Sequence, residues 1–155
     1  MRPRLYQDAY DSPIGALYIT FAGEELTAIS FGRPSIKQGK IPNSFRKQLM
    51  DYFEGRLREF TQEILFLEGT EFEKKVWLSL RDVPYGETRT YKWIAEKIER
   101  PKAVRAVGQA LSRNPIPIVL PCHRIIESDG HIGGYSSGVG IKRRLLDMEY
   151  YYSMK

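Results

Sequence analysis

Residues 114–124, Asn-Pro-Ile-Pro-Ile-Val-Leu-Pro-Cys-His-Arg, constrain this chain more than any other stretch. The apolar, β-branched run at 116–120 predicts a short buried strand that stops at Pro121, because proline brings no ladder donor and fixes the direction in which the chain leaves. Cys122, the only cysteine among 155 residues, is thereby delivered at a strand end with His123 directly behind it. A strand end is a rigid place to hold a nucleophile. A lone cysteine is also an ordinary small buried hydrophobe, so the surroundings of the pair have to carry the chemical reading.

A chain of this length fits one domain, or two small ones sharing an interface, and buries a core without cross-links. One cysteine excludes an internal disulfide and suits a reducing compartment. No apolar h-region follows Met1-Arg2-Pro3-Arg4 and no stretch approaches a membrane-spanning length. A soluble cytoplasmic protein is expected, nuclear if the source has a nucleus. Two histidines and one cysteine cannot readily complete a tetrahedral zinc site without carboxylates, so no metal is expected.

The net charge of +5 is unevenly placed. Residues 1–69 hold 9 Lys/Arg and 9 Asp/Glu, whereas residues 70–155 hold 15 and 10, so the whole excess lies in the second half. Between Arg89 and Arg113 seven basic residues face two acidic ones. Such a local excess is the electrostatic footprint of a polyanion partner, although a charge run is also simply a solvated face.

The first half reads as a small α/β domain. Runs at 5–10, 16–21 and 26–31 are strand-like, and the turn signals at 12–15 and 22–25 join them into a three-stranded antiparallel meander. After a polar linker at 33–42, residues 44–57 carry Phe45, Leu49, Phe53 and Leu57 at four-residue steps, one apolar helix face. A boundary near 65–69 divides the chain into domains 1–65 and 66–155. Thr70 and Glu73 then form a capping box that opens a helix with Phe72, Val76, Trp77 and Leu80 inward, ended by Pro84-Tyr85-Gly86.

The next part has the rhythm of a helix-turn-helix. Thr90 can cap a helix at 91–98, and Pro101 suits the first turn of a second helix running to about Arg113. On a wheel, Ala103, Val104, Val107, Ala110 and Leu111 gather on one side. Lys102, Arg105, Gly108, Gln109 and Ser112 gather on the other, with Arg113 just beyond. A face with one long cation among small or polar residues can enter a groove. In a last helix at 141–150 the wheel places Glu149 between Leu145 and Leu146, on the apolar side, while Arg143, Arg144 and Asp147 face away. A carboxylate there needs a partner.

Pro121-Cys122-His123-Arg124, preceded by Asn114-Pro115 and by Arg105-Ala106-Val107-Gly108, resembles the active-site signature of the O6-alkylguanine-DNA alkyltransferases, also called methylated-DNA--protein-cysteine methyltransferases. The likeness extends from Asp11-Ser12-Pro13-Ile14-Gly15 through Gly69-Thr70-Glu71-Phe72 and Val83-Pro84-Tyr85-Gly86-Glu87-Thr88 to Glu149. The resemblance implies an α/β fold: a ribonuclease-H-like N-terminal domain without nuclease residues, which supports a mainly helical C-terminal domain containing the helix-turn-helix. It implies an irreversible, single-use transfer of the alkyl group from O6-alkylguanine, and less well O4-alkylthymine, in double-stranded DNA to Cys122. No cofactor is implied, and the protein is expected to act as a monomer.

Residue by residue, the resemblance implies a relay from Cys122 through a water to His123 and on to Glu149, the carboxylate fixing the imidazole tautomer. The water answers a geometric objection, since side chains of adjacent strand residues point to opposite faces. Asn114 ties the turn carrying Cys122 to the preceding helix. That helix lies in the minor groove, with Arg105 inserted into the base stack and Lys102, Gly108, Gln109, Ser112 and Arg113 around it. Degenerate minor-groove readout suits a protein that must find a lesion in any sequence. The alkylated base is flipped out. Tyr91 presses on its phosphate and donates a hydrogen bond to the base, and Pro117, Tyr135 and Ser136 form the guanine pocket, with Ser136 donating to O6. The glycine-rich stretch 130–138 lets backbone approach a planar ligand; some relatives carry glycine where this chain has Ser137, and His131 has no role. Two other classes compete: a module that binds alkylated DNA without repairing it, which needs no nucleophile, and a Cys-His hydrolase, against which the basic helix pair stands.

Overall fold

Alternation of apolar residues along the second strand organises the N-terminal unit. The computed structural model describes residues 4–32 and 36–155; Met1-Arg2-Pro3 and the Arg33-Pro34-Ser35 part of the polar linker lie outside the described residues. Strands β1 (Leu5–Ser12), β2 (Gly15–Ala22) and β3 (Glu25–Ser30) form the antiparallel meander β1-β2-β3. Ser12 pairs with Gly15, so the first hairpin turns on Pro13-Ile14 alone, and the β2–β3 register slips at Thr20/Phe21. Leu17, Ile19 and Phe21 project from one face of β2 and are fully buried. Against them packs helix α1 (Asn43–Phe53), whose Phe45 meets Phe21 edge-on at 5.7 Å. Asp8 fixes the start of α1, accepting from Ile41 N at 3.0 Å and from Arg46 at 2.7 Å.

The four-residue rhythm of this helix runs past its end. Phe45, Leu49 and Phe53 are buried, but α1 stops at Phe53 and Leu57 lies beyond it. Gly55 takes a φ of 79°, a left-handed conformation that glycine adopts freely, and the chain turns there.

The chain separates into two compact units, one ending at Leu67 and the next beginning at Glu68. In the second, helix α2 (Glu71–Ser79) opens with both halves of the capping box: Glu73 N donates to the Thr70 hydroxyl and Thr70 N to Glu73 Oε1, each at 3.0 Å. It tightens into a 3-10 turn at Leu80–Asp82 before Pro84. Strand β4 (Arg89–Thr90) leads into helix α3 (Tyr91–Lys97), with Thr90 capping Trp93 N at 3.0 Å. Helix α4 (Val104–Ser112) packs on α2 and α3, and Trp77 Nε1 donates to Ala110 O at 2.8 Å in the buried seam. Strand β5 (Ile125–Ile126) pairs parallel with β4, and α5 (Val139–Ser153) completes the unit. Among the described residues no helix is long and apolar enough to cross a membrane.

Three expectations are corrected. The helix expected from Pro101 begins at Val104, because Pro101 occupies the second position of a turn closed by Ala103 N to Arg100 O at 2.9 Å, a place proline favours. Val104, at the resulting first turn, is exposed rather than packed. Most consequential, residues 116–120 are buried but form no strand. Pro115 and Pro117 have no N–H to offer, Ile118 takes a left-handed φ of 76°, and Leu120 N closes back on the segment itself, reaching Ile116 O at 2.9 Å.

Candidate active site

The turn that replaces the expected strand is built around Asn114. Its Oδ1 accepts from Ile116 N at 3.0 Å and its Nδ2 donates to Leu120 O at 2.8 Å, so one side chain clasps both ends of the loop directly after α4. Cys122 N returns to Leu120 O at 2.8 Å, and the chain enters a 3-10 turn at Cys122–Arg124. Three residues per turn send successive side chains in directions about 120° apart. This removes the objection that neighbouring strand residues point to opposite faces. Cys122 faces a cavity, while His123 and Arg124 turn into the protein.

His123 and Glu149 are almost completely buried, at 0% and 1% exposure. His123 Nε2 lies 2.7 Å from Glu149 Oε2, and Arg124 grips the same carboxylate through Nε to Oε1 at 2.8 Å and Nη2 to Oε2 at 3.0 Å. Arg124 Nη1 also donates to Val83 O at 2.8 Å, and the guanidinium lies over the Tyr85 ring. Burial by itself raises the Glu149 carboxyl; the charges and hydrogen bonds of His123 and Arg124 outweigh it and hold the group well below the usual carboxylate range. Glu149 is therefore a buried anion whose charge two partners share. The other imidazole nitrogen, His123 Nδ1, is buried and has no hydrogen-bond partner among the described residues.

The cavity beside Cys122 has a volume of about 420 Å³. Tyr91 from α3, Gly108, Leu111 and Ser112 from α4, Cys122, and Gly134, Tyr135 and Ser136 from the glycine-rich loop line it. It is large enough for a planar base and joins the nucleophile to the outer face of α4. Burial pushes the Cys122 thiol up, while Asn114, Lys142 and Tyr135 pull it back. The Tyr135 hydroxyl is buried with no oxygen or nitrogen partner among the described residues, its neighbour being the thiol, and burial beside that sulfur holds its proton tightly. Gly133, at φ 77°, passes so close to Tyr91 that an added Cβ would stand 2.8 Å from the Tyr91 hydroxyl.

Of the remaining candidates, Lys102, Arg105, Gln109, Ser112 and Arg113 are exposed and Gly108 is half-buried, with Arg113 paired to Glu73 at 3.5 Å. Pro117 is buried in the turn and is not among the cavity's lining residues. His131 pairs with Asp129 at 2.8 Å on an exposed loop, where Glu127 also offers a carboxylate. Two residues escaped sequence reasoning. Arg124 stood in the motif without a partner, since Glu149 is 25 residues away. Lys142, 1% exposed, reaches Ile125 O at 2.6 Å and Gly134 O at 3.0 Å. The wheel of the helix expected at 141–150 already sets Lys142 on the face of Leu145 and Glu149.

Comparison with known proteins agrees across both units. Residues 71–151 match the family described as 6-O-methylguanine DNA methyltransferase, DNA binding domain, and residues 5–66 match its ribonuclease-like domain. The chain is 44% identical over 155 residues to the methylated-DNA--protein-cysteine methyltransferase of Methanosarcina acetivorans, covering 94% of this chain and 98% of that protein. To the protein of the same name from Mycobacterium tuberculosis it is 43% identical over 147 residues, covering 90% and 88%. Among solved structures, the O6-methylguanine methyltransferase of Mycobacterium tuberculosis superposes with a TM-score of 0.88 at 38% identity, covering 96% and 94% of the two chains. The OGT of that organism in complex with DNA superposes with a TM-score of 0.86 at 39% identity, covering 95% and 94%.

Proposed function

Since the chain belongs to the O6-methylguanine DNA methyltransferase family, we propose that it repairs DNA by moving the alkyl group of O6-alkylguanine, and less readily of O4-alkylthymine, onto Cys122, once per molecule. The observation that carries this reading is the position of Cys122: a thiol on the wall of a base-sized cavity, backed by the buried His123–Glu149–Arg124 cluster.

The second unit binds duplex DNA through its basic α3–α4 pair, with α4 in the minor groove, and the first supports it. Flipping is required because the O6 substituent of a stacked guanine cannot reach a buried thiol. Arg105, exposed on α4, fills the gap left in the stack, and Tyr91 at the cavity mouth presses on the phosphate and donates to the base. Lys102, Gln109, Ser112 and Arg113 surround Arg105 on the DNA side, and Gly108 lets the backbone come close.

In the cavity the thiol proton passes through a water to His123 Nδ1, and Glu149 stabilises the resulting imidazolium. The sulfur attacks the alkyl carbon in line. A sulfur–carbon bond forms, the carbon–O6 bond breaks, and the electron pair goes to guanine O6, where Ser136 donates a hydrogen bond. The proton taken from Cys122 returns through solvent to guanine N1. This balance calls for no cofactor, and the thioether leaves no way back. The protein acts as a monomer in the cytoplasm, or in the nucleus of a eukaryotic source.

Incubation with duplex DNA containing O6-methylguanine is expected to add one methylene to the Cys122 peptide, one equivalent per protein. No mass gain would leave a module that only binds the lesion, and repeated turnover of an ester would favour the hydrolase. Arg105→Ala is expected to slow duplex repair about tenfold more than reaction with free O6-benzylguanine, ~1.4 kcal/mol of extrusion free energy. A free base needs no vacancy filled, so equal losses on the two substrates would remove Arg105 from that role.

A further inference from the structure

The stretch 130–138 holds four glycines. Gly130, Gly133 and Gly138 take left-handed φ of 89°, 77° and 112°, where a side chain is strained. Gly134 does not: its φ is one that any residue adopts, and a Cβ added there would meet no atom within 4 Å. Backbone conformation therefore gives no reason for glycine at 134, and a side chain would stabilise the fold by restricting the unfolded chain. Its place in the fold supplies the reason. Gly134 lines the cavity that holds Cys122. Its carbonyl accepts from Lys142 Nζ at 3.0 Å, and Gly133 beside it runs so close to Tyr91 that the backbone has little freedom to draw back from a larger ligand. The room at this point of the wall is set by what position 134 carries. Gly108, Ser112 and Ser136 keep the rest of the wall small, and Ser137 is not among the lining residues.

We propose that Gly134 sets the size limit on the alkyl group: the side chain it lacks is the room into which an O6 substituent larger than methyl fits, up to a benzyl-sized aromatic group. The proposal rests on Cys122 being the alkyl acceptor and names the range of substrates for that same site. A guanine carrying one methyl leaves part of the cavity of about 420 Å³ unfilled. An arylmethyl group takes up that part, its ring lying where a side chain at 134 would stand. The reaction is the one that moves a methyl group. The benzylic carbon–O6 bond breaks, the sulfur–carbon bond forms, the electron pair goes to guanine O6, and the thiol proton ends on guanine N1. A benzylic carbon is intrinsically easier to displace than a methyl carbon. Admission of the ring therefore decides the rate.

Transfer to Cys122 is timed at neutral pH from one duplex carrying O6-methylguanine and from the same duplex carrying O6-benzylguanine. The wild type, Gly134→Ala and Gly134→Leu are compared. The wild type is expected to accept both groups. The ratio of benzyl to methyl rate is expected to fall about threefold in Gly134→Ala and about tenfold or more in Gly134→Leu, because small volume changes in a fitted pocket are worth factors of this order. Damage to the fold, to DNA binding or to the thiol slows both substrates alike and leaves the ratio where it was. An unchanged ratio therefore overturns the proposal. Should Gly134→Leu fail to fold, Gly134→Ala decides, since the backbone and the space at 134 both suit alanine. A wild type that takes methyl and refuses benzyl overturns the proposal while the repair reading stands. One that takes neither group sinks the repair reading, and the proposal with it.

Discussion

Cys122→Ser is expected to show no detectable alkyl transfer while still binding duplex DNA within about threefold of the wild type, because phosphate contacts carry most of the affinity. The hydroxyl is nearly the size of the thiol, so the turn clasped by Asn114 keeps its shape. What changes is the nucleophile. A thiol buried as deeply as Cys122 already resists ionisation, and Asn114 and Lys142 recover only part of that cost; an alkoxide in the same place is far less accessible. The measurement pairs peptide mass after exposure to O6-methylguanine DNA with a binding titration at fixed salt. Residual repair by the purified variant would falsify the assignment of Cys122. Loss of binding together with transfer would mean that the substitution disturbs α4 through the turn.

Glu149→Gln is expected to affect stability and rate together. The carboxylate accepts from Arg124 twice and meets His123 at 2.7 Å, and the Arg124 side chain is only 7% exposed. Neutralising Glu149 leaves the guanidinium buried without its counter-charge, which costs about 3–5 kcal/mol. The sign of the pH dependence follows from the lowered carboxyl. Stabilisation by Glu149 is complete above the unfolded value of ~4.3 and is lost as pH falls toward the folded one, so the gap between wild type and variant should close in acid. Urea unfolding at pH 7 and pH 3 checks this. The alkylation rate at neutral pH should drop roughly 10²-fold, the scale of a displaced acid–base group. Its profile should shift alkaline, because a thiolate made by proton transfer to His123 forms less readily when the imidazolium loses its anion. A folded variant with an unchanged profile would remove the relay.

Where local rules govern, the residues alone told the story. Alternation in 16–21 is the core face of β2, the Thr70–Glu73 box caps α2, Thr90 caps α3, and Glu149 lies on the buried side of α5 as its wheel requires. Each depends on neighbours within about one turn or one pleat. Boundaries were less legible: α1 ends at Phe53 because Gly55 turns left-handed, and α4 waits for the Pro101 turn to close. In both cases a periodic pattern continues past the point where the backbone changes course.

The cysteine, histidine and carboxylate of the site could be named from their motif and wheel positions, because chemistry restricts which residue types can do such work. Their geometry could not. An apolar run at 116–120 has the composition of a strand, but prolines at 115 and 117 deprive it of ladder donors, and a side-chain clasp from Asn114 makes it a turn. That turn sets Cys122 and His123 on different faces of one 3-10 coil. Arg124 and Lys142 acquire partners only when α5 folds back on the turn and the loop, because a buried charge is defined by what surrounds it. The sequence by itself thus determined which groups are present and the periodicity of the elements that hold them. The tertiary structure decided which charges share a dry interior, and with it how readily the thiol yields its proton, since desolvation and the nearness of opposite charge exist only once the chain has closed around them.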